Sequence, residues 1–128
     1  MSKTQHLQQI TQLRLQADRA NLAVVLSKEN DLRQTLQDLA HQRKQRLDTP
    51  QDGGDAASVA IADLNWQLWI DQRRTIINAE LARVLAEKEE LTAKLRRSFG
   101  KDQAAQRLYQ TSQATARIAV ARKALYES

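Results

Sequence analysis

The helical periodicity of this 128-residue chain breaks once, at "DTPQDGGDAAS", Asp48 to Ser58. That stretch holds the only proline, two of the three glycines and three aspartates. Proline lacks an amide donor and clashes with the preceding turn, and adjacent glycines free the backbone. One break leaves room for two helices. The spacing predicts a first helix over 4–47, a loop over 48–58 and a second helix over 59–126, all within one domain. Asp55 or Ser58 offers an oxygen to the unpaired amides at the start of the second helix.

The apolar residues support this reading. In the first helix Leu7, Ile10, Leu13, Ala17, Ala20, Val24 and Val25, Leu32, Leu36, Leu39 and Leu47 are mostly spaced by three and four. That spacing lays one stripe along a helix about 65 Å long. The second helix carries a seven-residue series: Ile70, Ile77, Val84, Leu91, Ser98, Ala105, Ser112, Ala119, Tyr126. A companion series holds Leu81, Lys88, Leu95, Asp102, Tyr109 and Ala116. Together they form a coiled-coil seam, weakened where Lys88 and Asp102 interrupt it. The seam keeps its phase across Gly100, which predicts a continuous helix with at most a soft kink there. A three-helix bundle bent at Gly100 is the alternative.

Two helices joined by a short loop are expected to be antiparallel neighbours. A turn centred near Gly53 would put residue i opposite about residue 106 − i, so that Val25 faces Leu81 and Ile10 faces Arg96. The last ~23 residues would then overhang as a single alanine-rich helix about 35 Å long. The expected fold is all-α: a long antiparallel two-helix coiled-coil hairpin with a C-terminal helical overhang.

Both tryptophans fall in "LNWQLWIDQRR", just past the break. Measured from Ile70 at about 100° per residue, Trp66 lies about 40° from the seam and Trp69 about 100° from it. Arg73 and Ile76 share the Trp69 flank, while Ile61, Leu64 and Leu68 fall on the far side. A two-helix hairpin buries one stripe per helix, so a second apolar face needs another partner. Trp66, Trp69 and Ile76 are therefore candidate protein-binding residues. Plugging a widened end of the hairpin is the structural alternative.

Charge narrows the partners. The chain has 20 basic and 15 acidic residues, a net +5, with the signs interleaved. Interleaving describes a solvated helix face better than a phosphate groove. Arg43, Lys44 and Arg46 have Asp48, Asp52, Asp55 and Asp63 close by in sequence. Lys94, Arg96, Arg97 and Lys101, followed by Arg107, Arg117, Arg122 and Lys123, have few acidic neighbours. That end of the hairpin is expected to be basic: a solvated face first, then a surface for an acidic protein, then one for a phosphate backbone.

Enzyme chemistry finds no constellation. His6 and His41 lie on one helix about 50 Å apart, which suits neither metal binding nor general-base work. Glu87 to Glu90 are expected to pair with Arg83 and Lys94 at helical spacing. With no cysteine there is neither a disulfide framework nor a thiolate site. No cofactor or metal is expected. No apolar span long enough for a signal or membrane helix is visible, which fits a cytoplasmic chain.

"NWQLWIDQRRTIINAEL" and "KLRRSFGKDQAAQRL" resemble segments of the FliJ/YscO family, the soluble stalk proteins of flagellar and type III export. The likeness covers nearly the whole chain as a pattern. It implies a non-enzymatic hairpin, cytoplasmic and peripheral to a membrane export apparatus, that couples the export ATPase ring to the export gate. It further implies that Trp69 and Ile76, with Trp66, face the cytosolic domain of the gate. The ATPase-facing end would hold Arg96, Arg97, Lys101, Arg107, Arg117 and Arg122. Arg73 departs from the apolar residue that the family tends to have there. Two other readings stand beside it: a basic coiled-coil module binding nucleic acid, and a self-assembling structural coiled coil.

Overall fold

The computed structural model describes residues 2–49 and 54–128. Pro50, Asp52 and Gly53, central to the expected loop, lie outside the described residues. The fold is an all-α helical hairpin of two helices, α1 (Lys3–Asp48) and α2 (Ala56–Glu127). Ser2 starts α1 by accepting from the Gln5 amide at 3.2 Å. At the start of α2 it is Asp55 that caps, accepting from the Ala57 amide at 3.4 Å. Gly54 precedes this cap with φ +119°, a conformation that side chains other than glycine's rarely adopt. α2 continues as helix through Gly100, where an added Cβ would meet open space.

The chain forms two compact units: unit 1 combines Met1–Ala23 with Glu89–Ser128, and unit 2 is Val24–Lys88. In unit 2 the core gathers Leu39, Ile70 and Ile77, with Leu32, Leu36 and Trp66 packed against them. Val25, Leu81 and Val84 are also buried. Full burial of such side chains contributes about 1.5–3 kcal/mol each. Lys88, polar in the expected seam, donates to Glu29 of α1 at 2.7 Å. The Arg33 guanidinium also holds Glu29, at 2.9 Å. These cationic donors, Lys88 first, keep the Glu29 carboxyl below its ordinary pKa.

In unit 1 the seam is largely polar. The Ser98 hydroxyl donates to the Asp18 carboxylate, with both residues buried. Thr11 donates to Asp102 at 2.9 Å, and the Gln106 amide donates to the other Asp102 oxygen at 3.3 Å. Leu15 and Ala105 supply the buried apolar part. No buried side-chain polar atom among the described residues lacks a partner, and the Asp18–Ser98 and Thr11–Asp102 pairs are matched across the helix pair.

Three expectations are corrected. The N-terminal stripe Leu7, Ile10, Leu13, Ala17, Ala20 and Val24 is exposed, as is Leu47. The residues of α1 turned inward recur instead as Thr4, Thr11, Asp18, Val25, Leu32, Leu39, Arg46 and as Gln8, Leu15, Leu22, Glu29, Leu36, Arg43. The physical reason is phase. Leu32, Leu36 and Leu39 share a seven-residue repeat with Asp18 and Thr11, whose partners Ser98 and Asp102 on α2 hold α1 to it; the stripe from Ile10 to Val24 lies off that inward face.

The register is the second correction. Asp18 meets Ser98 rather than residue 88, and Glu29 meets Lys88 rather than residue 77. Interlocking side chains set register, and the midpoint of the turn does not. In unit 1 the unpartnered end of α2 is accordingly shorter: residues 113–128 are exposed throughout, while Ser112, Tyr109 and Ala105 still lie in the seam. The third correction concerns Glu87 to Glu90. Among the described residues Glu87, Glu89 and Glu90 form no ion pair with Arg83 or Lys94, and the lysine between them, Lys88, pairs with Glu29 of α1.

Candidate protein-binding surfaces

The two tryptophans divide between interior and surface. Trp66 is half-buried against the unit 2 core. Its ring lies under the Arg46 guanidinium, 4.8 Å from ring centroid to carbon. Arg46 is itself fixed by donating from Nε at 3.2 Å and from a terminal nitrogen at 3.1 Å to one Asp63 oxygen. The arginine thus meets a carboxylate and an aromatic face together, as its planar cation allows. Trp66 is engaged within the hairpin.

Trp69 is 49% exposed and Ile76 58%. Seven residues apart, they share one flank of α2. Ile61, Leu64 and Leu68 are exposed further round the helix. A shallow groove between Leu68 and Ile76 is lined by Asp71, Gln72 and Thr75. Unit 2 therefore presents an apolar face away from its seam, with large side chains already standing in solvent.

Unit 1 has the opposite character. Residues 1–23 and 89–128 hold eleven basic and five acidic residues, against nine and ten in 24–88. The positive excess of the chain therefore belongs entirely to unit 1. Between α1 and α2 of this unit runs an open groove of about 490 Å³, with Ile10 and Arg14 on one wall and Lys94, Arg97 and Lys101 on the other. The Asp18–Ser98 pair forms part of its lining. Arg14 lies 3.6 Å from Asp18, and Lys94, Arg97 and Lys101 form no ion pair among the described residues.

Of the basic residues expected to act together, Lys94, Arg97 and Lys101 line this groove. Arg96 and Arg107 are exposed elsewhere on α2, and Arg117 and Arg122 belong to the segment past Ser112. Arg14 was not singled out from the sequence. It stands next to the exposed apolar stripe of α1, and only the true phase of α1 brings it to the groove. His6 and His41 are exposed and fall in different units. Among the described residues no group of three His, Cys, Asp or Glu side chains is placed to hold a metal ion. No helix among them is long and apolar enough to cross a membrane.

Comparison of the chain with protein-family models, curated proteins and solved structures matches none of them.

Proposed function

We propose that this chain is a non-enzymatic coiled-coil stalk of a flagellar or type III export apparatus, coupling the export ATPase ring to the export gate from the cytoplasmic side. The observation that carries the reading is the pairing of two unlike surfaces on one helical hairpin. Unit 2 offers the exposed Trp69–Ile76 flank, suited to an apolar partner such as the cytosolic domain of the gate. Unit 1 offers Arg97 and Lys101 and, further along α2, Arg107, Arg117 and Arg122, suited to the ATPase. A protein that links two partners needs two such surfaces, and neither surface carries the acid, base or nucleophile set of an enzyme.

The test is sedimentation velocity and ATP turnover of the export ATPase of the same organism, with and without this protein. Promotion of ring assembly and faster turnover, near one chain per ring, is the expected outcome. An ATPase that neither binds nor responds overturns the reading. The positive excess of unit 1 also favours a second reading, a basic module binding nucleic acid. That reading requires affinity for duplex that falls steeply with salt, as release of phosphate counterions demands.

A further inference from the structure

We propose that the unit 1 groove is a docking site for a third helix, an acidic amphipathic segment of a partner protein. Two packed helices leave a groove along their length, and a helix is the element whose ridges fit it. The groove is already equipped on both walls. From α1, Ile10 and Arg14 line it four residues apart, and Leu7, seven residues before Arg14, continues that row beyond the lining; both apolar side chains are exposed. From α2, Lys94, Arg97 and Lys101 follow at three and four. Leu108, exposed, continues that stripe seven residues beyond Lys101.

This is the arrangement by which coiled-coil helices choose partners: apolar positions in the groove and charged positions flanking them. The flanking charges here are all positive, and Lys94, Arg97 and Lys101 have no carboxylate of this chain to meet among the described residues. The one carboxylate in the lining, Asp18, is engaged by the Ser98 hydroxyl and by Arg14. The vacant charge complement is therefore negative and lies beside apolar side chains. A phosphate backbone matches the charge but leaves Leu7, Ile10 and Leu108 facing a polar strand. An acidic helix with apolar residues on its inner face satisfies both.

The inference does not rest on the export reading, since an acidic helix can belong to any partner. It is tested with a labelled, capped peptide of about three heptads, Leu at the inner positions and Glu at the flanking ones. A matched peptide carries Gln in place of Glu. Binding is read by fluorescence anisotropy at physiological ionic strength. The Glu peptide is expected to bind at least about tenfold more tightly than the Gln peptide. Arg97→Glu with Lys101→Glu should lose that preference while keeping the helicity of the parent, and a peptide with Lys at the flanking positions should bind this variant in its place. Arg19→Glu with Lys123→Glu makes the same change of net charge. Arg19 lies beside Phe99 and Gln106 rather than in this groove, so binding should stay within about twofold.

Equal affinity for the Glu and Gln peptides overturns the proposal. So does equal weakening by both reversal pairs, which would mean attraction to net charge without a site. So does a duplex oligonucleotide that binds more tightly than the Glu peptide at the same ionic strength and displaces it, because the occupant is then a phosphate backbone. A chain that takes the Glu peptide but leaves the export ATPase unaffected keeps the groove and loses the export reading.

Discussion

At the scale of single residues, exposure and burial separate neighbours along the same turn of α2. Ile70 is 1% exposed, whereas Trp69 beside it is 49% exposed. Ile70→Ala should therefore cost about 3 kcal/mol, by lost burial and the cavity left behind. Trp69→Ala with Ile76→Ala should cost about 1–2 kcal/mol together, keep the helicity, and abolish binding to the proposed gate partner. Urea titration followed by circular dichroism, alongside a pull-down, checks both. A large loss of helix in the double variant would place both side chains in the core. Ser98 poses a different case. Ser98→Ala leaves the Asp18 carboxylate with Arg14 alone, at 3.6 Å, and should destabilise by about 1–3 kcal/mol in the same titration. Asp18→Leu combined with Ser98→Ala should recover stability, because replacing both partners of a buried polar pair with apolar groups is often neutral or better.

At the scale of elements, the two helices tolerate change very unevenly. Gly100 lies inside α2 with open space where a Cβ would go. Gly100→Ala should raise stability by about 0.5–1 kcal/mol through helix propensity and a less flexible unfolded chain. Gly54→Ala should do the reverse, by about 1 kcal/mol or more, because φ +119° strains any residue with a Cβ. Thermal melts of the two variants should move in opposite directions. The end of α2 contributes little to either unit. Residues 113–128 are exposed, and the ion pair within them, Lys123 to Glu127 at 3.9 Å, is internal to the segment. Deleting them should lower the helical signal in proportion to length while leaving the unfolding free energy within about 0.5 kcal/mol.

At the scale of the whole molecule, polar pairs recur in the seam of each unit, and stability should depend on pH through one of them. Glu29 has a folded pKa below its ordinary value of 4.5. The unfolded chain therefore binds the proton more readily. The stabilisation from the Lys88 and Arg33 contacts is present in full above pH 4.5 and is lost as pH falls through the lower, folded pKa. Glu29→Gln should flatten that part of the acid limb in a series of urea titrations from pH 6 to pH 3. Matched layers of this kind also hold register. A slip of either helix would leave Asp18, Asp102 and Glu29 facing side chains that cannot answer them, so polar pairs specify one alignment where leucines alone would allow several.

The sequence by itself determined that the chain is two helices around one break, since Pro50, Gly53 and Gly54 cluster where the periodicity stops. It also determined the inward face of α2: Ile70, Ile77, Val84, Ser98 and Ala105 stand on it as their spacing of seven requires, because phase along a continuous helix is fixed by geometry. The division of the tryptophans was legible for the same reason, as an angle from that seam. Only the tertiary structure decided which face of α1 turns inward. Its N-terminal half carries an apolar stripe, Ile10 to Val24, and a mixed one, Thr11, Leu15, Asp18, Leu22 and Val25, both at helical spacing. Hydrophobicity favours the first. The choice of the second depends on Ser98 and Asp102, small and polar residues some 80–90 positions away, which accept Asp18 and Thr11 as partners. The basic groove follows from that choice, since Arg14 reaches Lys94, Arg97 and Lys101 only when α1 is turned this way. A pairing between distant residues is a property of the packed pair of helices, and no pattern read along one of them contains it.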